Sequence, residues 1–131
     1  MADSVGRELT RAFYDLFSSE RPDRVDNILG AGWTNHPADE GRSPDVSGFL
    51  DGIQDLRTAL NALRVDIEET VEQGSLIVCR IRVTGRFVGP FAGVPPTGRE
   101  GSFSAMDMHR LHAGRIVETW HYEHTEQLAD E

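Results

Sequence analysis

Lysine is missing from this chain: all thirteen of its basic residues are arginine. Without a lysine amine there is no Schiff-base chemistry and no phosphate loop of the Walker kind. Cysteine is nearly missing too. Cys79 stands alone, so no internal disulfide can form, which fits a reducing compartment. It falls in an apolar strand phase and is expected to pack as a small, inert hydrophobe. Positive charge is scarce: 13 basic against 22 acidic residues give a net charge of -9, with no basic cluster. Such a surface repels phosphates, so nucleic acid is excluded as a partner. No apolar run approaches the roughly 20 residues of a membrane helix, so no membrane partner is expected. Met1-Ala2-Asp3-Ser4 lacks the basic and apolar blocks of an export signal, and the expectation is a cytoplasmic protein. There is no Gly-x-Ser-x-Gly elbow for nucleophilic hydrolysis. The five histidines include no close ligand pair on one helix, so no metal is expected.

What is present reads as one domain over residues 1–131, long enough to bury a sizeable core. Val5, Leu9, Phe13, Leu16 and Phe17 recur at helical spacing over 4–19, with Ser4 as N-cap. A short helix is expected from Pro22, with Val25, Ile28 and Leu29 inward and Gly30 and Gly32 ending it. Trp33 to His36 reads as a brief strand stopped by Pro37, and 37–45 as a polar surface loop. A third helix is expected over 46–61, where Gly48 and Gly52 suggest close backbone contact. From Arg64 onward the period is two: strands are expected near 64–71, 75–86, 99–111 and 115–126. Helices segregated to one face of an antiparallel sheet make an α+β domain.

Two stretches stand apart. One is the glycine- and proline-punctuated run 85–98, which joins two strands and opens no helix, so it is no dinucleotide loop. The other is the terminal strand from Arg115 to His124, crowded with aromatic and titratable side chains. Such a strand is a poor core element but suits the wall of a water-excluding pocket. Gly85, Gly89, Gly93-Val94-Pro95-Pro96-Thr97-Gly98, Ser104, Asp107, Arg110, Gly114-Arg115-Ile116-Val117-Glu118 and Trp120 resemble the SnoaL-like polyketide cyclase (ester cyclase) family. The resemblance runs from about Trp33 to Leu128. It implies a nuclear-transport-factor-2-like cone: a curved sheet and three helices around a pocket. It further implies a cofactor-free enzyme that closes a ring by intramolecular aldol chemistry on an apolar carbonyl substrate, and often a homodimer. The family's acid–base aspartate lies four residues after the tryptophan; the matching position here is His124. Arg86-Phe87 likewise stands where the family often has Thr-His.

Aldol closure needs a base for an α-proton and donors for the enolate oxygen. His124 is the expected base, because imidazole titrates near working pH. Period two puts Glu118, Trp120, Tyr122 and His124 on one face if no bulge intervenes, with His121 opposite and outside. Phe103, Ala105, Asp107, His109 and Leu111 share a face of the preceding strand. Asp107 is expected to orient a histidine, and His109 to donate to the oxyanion. The expected substrate contacts are Tyr14, Trp33, Asn35, His36, Arg80, Trp120 and Tyr122. For Arg80 an ion pair with Glu118 is the alternative reading. A second enzymatic reading is water addition to an epoxide by Asp107, Asn35 and Tyr14. A third is a non-catalytic binding module, paired as a homodimer through Ile77, Cys79, Ile81 and Val83.

Overall fold

The computed structural model describes residues 4–19, 22–39, 41–91 and 93–124. Helix α1, Val5–Ser18, starts where expected: the Ser4 side chain accepts from the Arg7 amide at 3.1 Å. Its buried stripe of Leu9, Phe13, Tyr14 and Leu16 faces the sheet. A 3₁₀ turn, Pro22–Asn27, follows. Strand β1 then runs over Leu29–His36. Leu29 and Gly30, expected in a helix, belong to this strand, because it pairs in parallel with the last strand of the chain. That long-range pairing outweighs the local helical signal. Helix α2, Val46–Ala59, is capped by Asp45, whose carboxylate accepts from the Gly48 amide at 3.0 Å.

Strands β2 (Leu60–Gln73), β3 (Leu76–Phe87), β4 (Glu100–His112) and β5 (Arg115–His124) form an antiparallel meander. With β1 added on the far edge, the order is β1-β5-β4-β3-β2. Register shifts between Asn61 and Arg64, and between Ile67 and Glu69, bend β2; bulges of this kind are how a sheet curls. The concave face takes the helices, which gives the α+β cone. Ile77, Cys79, Ile81 and Val83 are all buried on that concave face. The expected pairing of two copies through them is therefore corrected: the apolar phase of β3 is spent on the core. Among the described residues, no helix is long and apolar enough to cross a membrane.

Candidate active site

Between the concave sheet face, the two helices and the 37–45 loop lies a pocket of about 510 Å³. Phe13 and Phe17 of α1, Phe49 of α2 and Phe103 of β4 wall its apolar part. The Gly/Pro run contributes Pro90 and Phe91, the latter stacked on Phe103 at 5.4 Å. The Gly93–Gly98 part of that run is exposed or half-exposed, and both glycines have positive φ (75° and 71°). That motif shapes the turn and leaves the lining to its neighbours. The polar end of the pocket collects Asn35, Asp39, Asp107, Thr119, His121 and Glu123.

Asp107 is the centre of this end. It is buried, and its two carboxylate oxygens take separate donors: the Tyr14 hydroxyl at 2.6 Å and Nδ1 of His121. Tyr14 has one proton to give, and it goes to Asp107. The 2.9 Å contact between the Tyr14 oxygen and Nε2 of His109 therefore has His109 as donor. That fixes the tautomer. Nδ1 of His109, 2.8 Å from Thr119 Oγ1, accepts the threonine proton, and Thr119 in turn accepts from the Trp33 indole at 3.1 Å. Every donor from Trp33 through Thr119, His109 and Tyr14 points toward Asp107. Among the described residues, no buried side-chain nitrogen or oxygen lacks a partner.

The electrostatics follow this wiring. Burial lowers the His109 pKa to about 4 despite Asp107 nearby, so the ring is neutral, as its tautomer requires. Burial, with Asp107 beside it, pushes the Tyr14 phenol well above its ordinary value. At His121 burial opposes the charge, but hydrogen bonds to Asp107 and Glu123 outweigh it and raise the pKa to about 10. His121 is thus an imidazolium at neutral pH, with Nε2 3.5 Å from Glu123. Asp39 is raised chiefly by burial, against the lowering effect of His121.

The candidates named from sequence divide sharply. Asp107 and Asn35 line the pocket, and Tyr14 holds Asp107 from behind. His109 is fully buried outside the lining, its ring edge-on to Phe13 at 4.9 Å. Its expected contact with a substrate oxyanion is corrected to contact with Tyr14. Trp33 is likewise a buried core ring packed on Phe49, not a substrate contact. His124, Tyr122 and Trp120 fall on the outer face of β5. Tyr122 is 70% exposed and His124 is exposed, so the expected base lies away from the pocket. Trp120 stacks on His36 at 5.3 Å and lies under Arg110, while His36 bonds Glu118 at 2.8 Å. Arg80 pairs with Glu68 and Glu69 on the same outer face. Neither an enolate contact nor the Glu118 bridge holds for it. Sequence reasoning missed His121, Asp39 and Glu123. For His121 and Glu123 the cause is a register shift in β5: Arg110 faces Glu118 but Leu111 faces Ile116. The extra residue, Val117, moves the inward phase from Ile116 to Thr119, His121 and Glu123. His121 was therefore expected outside, and it is inside.

The comparisons with known proteins point one way. The chain is similar in fold to TsrD from Streptomyces laurentii, at a TM-score of 0.86 and 21% identity over 99% of this chain and 96% of that one. IdmH from Streptomyces antibioticus gives 0.81 and 24%, with 95% of each chain covered. A SnoaL-like polyketide cyclase from Agrobacterium tumefaciens gives 0.83 and 15%, with 98% of each covered. No curated protein matches the chain. The sequence model described as SnoaL-like polyketide cyclase matches residues 7–129, so helix α1 is included as well as the strands that carry the resemblance. This chain belongs to the SnoaL-like polyketide cyclase family.

Proposed function

We propose that the protein closes a ring within a polyketide-like carbonyl substrate by acid–base chemistry of aldol type. The observation that carries this reading is His121: a charged imidazole facing an aromatic-walled pocket, held at Nδ1 by a buried carboxylate. An enolate or alkoxide forming near Nε2 meets a fixed cation in a partly dry site, where such a charge stabilises it far more than in water. Asp107 keeps the ring oriented, and Tyr14 keeps Asp107 oriented. The phenylalanine walls suit an apolar polycarbonyl chain and hold its ends close enough to react. The same reasoning needs no cofactor.

The test is incubation of pure protein with poly-β-carbonyl esters, comparing wild type, His121→Gln and Asp107→Asn. Ring closure is expected with wild type and a loss of about 10²–10⁴-fold in both variants. Equal rates in all three overturn the reading. A product carrying oxygen from isotopically labelled water replaces it with the epoxide-hydrolase-like reaction, in which Asn35 and Asp107 would hold the water. Tight binding without conversion replaces it with a ligand carrier.

A further inference from the structure

The ring-closure reading leaves one role empty. His121 enters as the charged acid, and each Asp107 oxygen already accepts a hydrogen bond, from the Tyr14 hydroxyl on one and His121 Nδ1 on the other, which makes Asp107 a weaker base toward carbon. The geometry points to Asp39 as the general base that removes the α-proton, delivered into the pocket by a loop seated on the bare backbone of Gly52. This inference rests on the ring-closure reading and names a residue on a different element from the acid.

Three observations place Asp39 there. It lines the same pocket as His121. A methyl group at Gly52 would overlap Asp39 Oδ2, so the carboxylate occupies the space a side chain on α2 would fill. The loop is also tied down on both sides. The Asn35 amide donates to the Pro44 carbonyl at 2.8 Å, and Arg42 makes paired bonds to Asp55 of α2 at 2.7 and 2.9 Å. A third anchor is internal, the Arg42 amide donating to the Asp39 carbonyl at 2.8 Å. The charged groups acting on Asp39 are His121 and Glu123 of β5, Asp55 of α2, Asp107 of β4 and Arg42 of its own loop. Burial and the three acids make it a stronger base, an effect that His121 partly offsets.

In the step, the Asp39 carboxylate takes the proton of the carbon between carbonyls. The C–H electron pair becomes the enolate, whose oxygen charge faces His121 Nε2–H. The enolate carbon attacks the second carbonyl carbon, forming the C–C bond, and its π pair moves to oxygen. That alkoxide takes a proton from His121, and the proton held by Asp39 restores His121. Atoms and electrons balance with no oxidant, reductant or water.

The probe is α-tetralone in deuterated water, with α-proton exchange followed by NMR alongside ring closure of the poly-β-carbonyl esters. Wild type is expected to exchange the α-proton, and Asp39→Asn to lose about 100-fold or more with its fold intact by circular dichroism. Gly52→Ala, which displaces the carboxylate without removing it, is expected to lose exchange as well. Asp39→Ala is expected to regain exchange with added formate, a readout that a purely structural role would not move. Wild-type turnover retained in Asp39→Asn, or lost there without formate rescue of Asp39→Ala, overturns the assignment while leaving ring closure standing. Wild type inactive in both assays overturns ring closure and the assignment with it.

Discussion

Tyr14 both gives and receives at one oxygen, donating to Asp107 and accepting from His109. Phenylalanine at this position keeps the ring packing against Phe13 but strands the His109 Nε2–H in a buried site. The expected cost of Tyr14→Phe is about 1–3 kcal/mol, read from urea denaturation, since an orphaned buried donor loses its full solvation. Turnover should fall as well, because Asp107 then holds His121 with one anchor fewer. A loss of stability below a few tenths of a kcal/mol would mean that water replaces the hydroxyl. Asp107 was legible from sequence because it lies within the apolar phase of β4, whereas Tyr14, expected to touch substrate, is buried outside the pocket lining and bonds Asp107 instead. Asp39 was not legible. Nothing in a polar loop says that it folds over a glycine on the next helix.

At the level of elements, β5 teaches the most. Period two reveals which side chains share a face, and that part of the reading holds: Trp120, Tyr122 and His124 do lie together. It does not reveal which face is inward. The bulge at Val117 decides that, and a one-residue shift exchanges all the side chains beyond it. The helices and the β2–β5 meander could be read from apolar spacing and turn residues, whereas the parallel β1–β5 pairing is a long-range event with no local signal. Tyr122→Ala is accordingly expected to leave ring closure unchanged and stability within about 0.5 kcal/mol, in contrast to His121→Gln one residue away. Kinetics of both variants on one substrate check it. On α2, Gly48→Ala should destabilise by about 2–3 kcal/mol, measured by thermal melting. The new methyl would meet the Ser43 backbone carbonyl, which cannot swing aside as a long side chain can.

For the molecule as a whole, one buried imidazole and one half-buried imidazole set opposite limits on stability. His121 binds its proton more tightly when folded. Its contribution is full below its ordinary pKa of 6.5 and is lost as pH rises toward about 10. His109 binds its proton less tightly when folded. Its contribution is full above 6.5 and is lost as pH falls toward about 4. Stability is therefore expected to crest near neutrality and decline on both sides, as measured by urea midpoints across the pH range. His121→Gln should flatten the alkaline slope and leave the acid slope in place. A wild-type profile still rising between neutrality and alkaline pH would contradict the charged His121.

The uniform direction of the hydrogen bonds that begin at Trp33 has a remote effect. An indole at one end of the fold dictates which way a threonine hydroxyl turns, hence which nitrogen of a neighbouring ring is bare, hence what reaches a carboxylate on the pocket wall. Trp33 is itself outside the pocket lining, yet Trp33→Phe frees Thr119 to rotate and lets His109 exchange tautomers. The nitrogen-15 chemical shifts of His109 should then report a mixture where wild type reports one form, so the proton inventory of the cavity is governed from a position no ligand visits.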